Sequence, residues 1–104
     1  MRRHDLQAMH QCMTEQALTL LKAKNEDYAT DEDPFANFRR VSDMGICSTP
    51  EGFLVRMVDK VSRLSTFAKR GEFSVQDEGL LDTCLDLINY TVLLYAWNIS
   101  ETED

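Results

Sequence analysis

No stretch of this sequence approaches the ~20 consecutive apolar residues of a membrane span, and its first residues, Met-Arg-Arg-His-Asp, lead into a polar amphipathic pattern without an apolar signal region. Both absences argue against a membrane partner and predict a cytoplasmic protein. A basic surplus is missing as well: 11 Lys and Arg stand against 18 Asp and Glu, a net charge of -7. General binders of nucleic-acid duplexes displace counterions with a basic surface, so direct duplex binding is not expected. Nucleotides stay open, because bound cations can meet their phosphates. Cys12, Cys47 and Cys84 are odd in number, widely spaced and without a C-x-x-C, which points to reduced thiols rather than a disulfide frame or a zinc site. No linker or repeat is visible, and nothing alternates at period two for long enough to make a strand.

What is present is helical. The 104 residues, 43% apolar and 28% charged, suit one soluble globular domain, residues 1-104, short enough that a second chain can help to close its core. From Asp5 to about Lys24, Leu6, Met9, Met13, Ala17 and Leu20 recur at helical spacing with no Gly or Pro between them. His4 and His10 lie near this helix without a partner at ligand spacing and read as surface or core-edge histidines. The acid-rich stretch from Lys24 to Asp33 reads as an exposed connection. Asp33 as cap and Pro34 at the first helical position predict a short helix through Phe35, Phe38 and Val41, ending near Gly45. Thr49-Pro50-Glu51 repeats the start signal for a helix to Gly71 that buries Phe53, Leu54, Met57, Val58, Val61, Leu64 and Phe67. Ser74, with Asp77 three residues on, caps a last helix to about Asn98, followed by a frayed tail. The fold class is therefore all-α, an antiparallel bundle of three longer helices and one short helix. The last helix is apolar around most of its C-terminal half, more than two neighbours can cover, and predicts a homodimer or larger homo-oligomer.

The run from Asp82 to Tyr90 carries the chemistry. Asp82, Asp86 and Asn89 share one face of a helix, Glu78 joins their arc one turn earlier, and Leu93 and Trp97 continue the stripe as apolar surface. Such a stripe faces protein at one end and a hydrophilic pocket at the other. Inward carboxylates in a helical bundle hold hard cations, and magnesium, which keeps several waters, needs only two or three of them. On the preceding helix Arg56, Asp59 and Arg63 gather opposite the apolar stripe with Lys60 at the edge, and cations across from metal-binding acids suit a polyphosphate. The same residues can equally pair as interhelical salt bridges.

Lys24-Asn-Glu-Asp27-Tyr28, Asn37-Phe38, Arg56-Met-Val-Asp59-Lys60-Val-Ser-Arg63-Leu64 and Asp82-Thr-Cys-Leu-Asp86-Leu-Ile-Asn89-Tyr90 together resemble the motif series of the nucleotide-modification-associated all-α domain common in bacteriophages. That family is similar to the MazG-like all-α nucleoside triphosphate pyrophosphohydrolases. The resemblance spans about three quarters of the chain, in order, with each motif of modest specificity. It implies a MazG-like bundle completed by oligomerisation, acting with Mg2+ on the nucleotide pool, in the host cytoplasm if phage-encoded. Carried over, Asp82 and Asp86, with Glu78, are metal ligands and Asp59 occupies the earlier acidic motif, so that Asp59, Glu78, Asp82 and Asp86 form the catalytic set. Lys60 and Arg63, with Arg56 beside them, face phosphate. Lys24, Asp27, Tyr28, Asn37 and Asn89 surround base and sugar. One departure stands out: the E-x-x-E usual on the earlier helix is replaced by Asp59 among basic residues, which weakens hydrolysis more than nucleotide binding. Three readings follow. The first is a magnesium-dependent pyrophosphohydrolase releasing a monophosphate and pyrophosphate. The second is a non-catalytic nucleotide or nucleotide-signal sponge. The third is a helical interaction module using Leu93, Tyr95 and Trp97.

Overall fold

The computed structural model describes residues 1-28, 33-73 and 79-103, the side chains of residues 26-28 excepted. All regular structure in these residues is helical, in the order α1 (Arg3–Tyr28), α2 (Ala36–Asp43), α3 (Thr49–Arg70) and α4 (Leu80–Thr102). Among the described residues no helix is long and apolar enough to cross a membrane.

Each helix boundary has a local cause. The first helix continues a full turn past Lys24, to Tyr28, because Asn25-Glu-Asp contains neither Gly nor Pro and acidity alone does not stop a helix. Asp33 does perform capping chemistry, its Oδ1 accepting the Phe35 N–H at 3.0 Å, but it shapes a turn over Pro34 and Phe35, and α2 starts at Ala36. Gly45, at φ 75°, ends that segment in the left-handed conformation that glycine adopts without a steric penalty. The cap of α3 is Ser48, one residue earlier than expected, in a capping box with Glu51: the Glu51 N–H donates to Ser48 Oγ at 3.2 Å and the Ser48 N–H to Glu51 Oε1 at 3.1 Å. Ser48→Ala should therefore destabilise the fold by about 1 kcal/mol, read as a lower urea midpoint at unchanged slope; an unmoved midpoint would show that the cap contributes nothing. The expected cap at Ser74 and Asp77 lies outside the described residues, and α4 begins only at Leu80, after Gly79. At its far end α4 runs past Asn98 to Thr102, where Glu101 Oε1 meets Arg39 Nη2 at 2.8 Å.

The centre of the bundle is α4, with α1 and α3 packed on it and α2 packed on α3. Along α1 and α4 sequence numbers run in opposite directions, Ala17 meeting Asn89 and Lys24 meeting Asp86. The core gathers Phe35, Phe53 and Leu93, with Leu21, Phe38, Tyr90, Leu94, Ala96 and Trp97 packed around them. Phe38 stacks on Phe53 with ring centroids 4.4 Å apart and presents an edge to Tyr90 at 6.4 Å. Close approach of α2 to α3 depends on Gly52, where an added Cβ would sit 2.7 Å from Val41 Cγ2.

Of the apolar row expected to be buried on α3, Phe53 is fully enclosed and Met57, Leu64 and Phe67 are partly so, while Leu54, Val58 and Val61 stand in the open. The reason is topological: α1 packs on α4 rather than crossing over α3, so no element of the described chain covers that side. On α4 the stripe of Asp86, Asn89 and Leu93 is the inward one. Leu81, at the start of the same helix, is exposed. The three cysteines are free thiols, and His4 and His10 are exposed.

Candidate functional site

Helical periodicity places Asp86, Asn89, Tyr90 and Leu93 on one face of α4, at steps of three, four and seven residues. The last turns of α1 bring Lys24 and Asn25 to this face from one side. From the other, α2 contributes Asn37, Phe38 and Arg40, and α3 contributes Arg56. Between them lies a cavity of about 470 Å³, within the ~300-1,000 Å³ range of small-molecule sites.

Asp86 forms its floor. This carboxylate is only 7% exposed and is held at both oxygens, Oδ1 by Lys24 Nζ at 3.1 Å and Oδ2 by Lys60 Nζ at 2.8 Å. Burial pushes its pKa up, but hydrogen bonds from Lys60 and Lys24, together with their charges, outweigh burial and hold the carboxyl below its usual value. Asn89 is buried and donates from Nδ2 to the Ala17 carbonyl at 2.9 Å, which locks α1 to α4 one turn from the ion pair. Arg56 lies over the Phe38 ring, its Cζ 4.6 Å from the centroid, an arrangement that orients a guanidinium without neutralising it. Neither Arg40 nor Arg56 forms an ion pair among the described residues. The cavity thus has three cations on its walls, Lys24, Arg40 and Arg56, against one described carboxylate that two lysines already neutralise. Among the described lining residues this reverses the sign of the chain's net charge of -7.

The structure brings Lys24, Asn37, Arg56, Asp86 and Asn89 together around the cavity, with Lys60 behind Asp86. Asp82 is exposed, one turn along α4. Asp59 is 63% exposed and lies 3.6 Å from its own helix neighbour Arg63; neither lines the cavity. Glu78 lies outside the described residues, as do the side chains of Asp27 and Tyr28. No group of three His, Cys, Asp or Glu among the described residues could hold a metal ion. Both Asp86 oxygens are engaged by ammonium groups.

No family model, curated protein or solved structure matches this chain. The site's chemistry is accordingly read from its residues.

Sequence reasoning missed Asn25 and Arg40, assigned Phe38 to packing alone and quoted Tyr90 without a role, though all four line the cavity. Arg40 had a legible signal: it follows Asn37 by three residues on the same helix, which places both on one side of it.

Proposed function

We propose that the cavity binds a phosphorylated small molecule of nucleotide type, with phosphate oxygens toward Lys24, Arg40 and Arg56 and a flat ring against Phe38 and Tyr90. The observation that supports it is the cluster of three cations around a cavity whose one described carboxylate is already paired. Arginine suits phosphate because its planar fork donates two parallel hydrogen bonds to an anion. Asn25 and Asn37, half-buried at the same walls, can supply donors and acceptors to polar ring edges.

The pairing of Asp86 favours binding without cleavage over the pyrophosphohydrolase reading, which rests on the motif resemblance and requires magnesium on Asp82 and Asp86. Titration calorimetry with adenosine triphosphate, adenosine monophosphate and pyrophosphate, with and without magnesium, tests both. Arg56→Ala should weaken nucleotide binding by about 10-fold or more, since a charge-assisted hydrogen bond contributes about 1.5-3 kcal/mol. Arg56→Lys should retain part of the affinity, and Arg63→Ala should leave it intact. Equal affinity in wild type and Arg56→Ala would overturn the assignment of the cavity. Magnesium-dependent release of pyrophosphate, lost in Asp82→Asn, would instead establish the hydrolase.

A further inference from the structure

We infer that a second copy of this chain packs on the outer face of the α3-α4 hairpin, on the side of α4 opposite the cavity. Two rows of residues define that face. On α4, Leu81, Cys84, Ile88, Val92, Tyr95 and Ile99 follow one another at three- and four-residue steps, about half a turn of the helix away from the stripe of Asp86 and Leu93. On α3, Pro50, Leu54, Val58 and Val61 do the same. A shallow cleft bordered by Pro50, Thr91, Leu94 and Tyr95 joins the two rows. Val58 is 65% exposed, Val92 53% and Tyr95 69%.

Three quantities select a second copy as the occupant. First, neither row contains a charged residue, although 28% of the chain is charged; a face kept for water in so acidic a protein would carry some. Second, the protomer exposes 7717 Å², whereas a folded monomer of 12.0 kDa exposes about 6,000 Å². The excess of about 1,700 Å² falls within the roughly 1,000-2,500 Å² that each subunit of an obligate homodimer buries. Third, the buried apolar side chains of the described chain are five, Ala17, Phe35, Phe53, Leu85 and Leu93, a small core for a domain that must hold four helices together. A two-fold axis suits such a patch, because an isologous contact sets the same uncharged rows against each other and leaves the acidic surface outside.

Sedimentation equilibrium of the full chain at about 10 µM should give twice the 12.0 kDa protomer mass, and the melting temperature should rise with protein concentration, as it does when folding and association are linked. Val92→Glu and Val58→Glu should each shift the mass to that of the protomer, while Leu18→Glu, also exposed but on α1, should remain dimeric. A wild-type protein that sediments as a protomer with full helix content and a concentration-independent melt would overturn the proposal. So would glutamate variants that stay dimeric. Should the glutamate variants fail to fold, the mass and concentration dependence of the wild-type protein still decide the matter. None of these outcomes depends on nucleotide binding, so the two assignments stand or fall separately.

Discussion

Phe53→Ala should cost about 3-5 kcal/mol, enough to remove much of the roughly 5-15 kcal/mol that holds a small domain folded. The side chain is fully buried, and it occupies the junction of α2, α3 and α4: Phe38 stacks on it at 4.4 Å, and Phe35 and Leu93 complete the cluster. Truncation forfeits the transfer free energy of the ring and leaves a void that the stiff Val41-Gly52 contact beside it hinders α2 from filling. The effect reaches the cavity, because Phe38 is both the stacking partner of Phe53 and the platform for Arg56. The variant should therefore lose urea resistance and, under conditions where it still folds, bind nucleotide more weakly. Leu18→Ala, at a position 49% exposed, provides the control and should change stability by less than about 1 kcal/mol. Equal urea midpoints for Phe53→Ala and Leu18→Ala would refute the placement of the core.

The helical content was legible because the period of the apolar residues is a local property of the sequence, and so were the stop at Gly45 and the run of α3 up to Gly71. The partition between core and surface was less so. Periodicity names the apolar side of a helix but not its neighbour, and α3 carries more apolar surface than the chain itself covers: Phe53 went inward, Leu54 and Val58 did not. At the site, Asp86 and Asn89 of the expected α4 stripe line the cavity and Leu93 enters the core, whereas Asp82 is exposed. The partners of Asp86 were harder to foresee, since Lys24 is 62 residues away in sequence and reaches it only because α1 packs antiparallel to α4. Arg63 Nε lies 3.6 Å from Asp59 one turn earlier on α3, a pairing that helical spacing permits. Arg40 and Asn25 reach the cavity through the packing of α2 and the extra turn of α1, neither of which a helical wheel encodes.

Asp86→Asn is the substitution that separates the readings of the site by sign. The amide keeps the shape of the side chain and removes the negative charge that Lys60, itself 12% exposed, and Lys24 both meet. Removing one partner of a buried pair costs about 3-5 kcal/mol. The lower end applies here, because Lys24, 46% exposed, can turn to solvent. Asp82→Asn, on the same helix but exposed, should stay within about 0.5 kcal/mol of wild type. Acid titration gives an independent check. The folded-state pKa of Asp86 lies below its ordinary value, so its stabilisation is complete above the unfolded value near 3.9 and disappears as pH falls through the lowered folded value. Wild type should lose this increment on the acid limb, and Asp86→Asn should lack it. Binding then decides the function. If Lys24, Arg40 and Arg56 hold a phosphate, deleting the carboxylate frees Lys24 and should tighten nucleotide binding in the folded variant. If Asp86 instead holds magnesium for hydrolysis, the same change should abolish both the magnesium dependence and the pyrophosphate release.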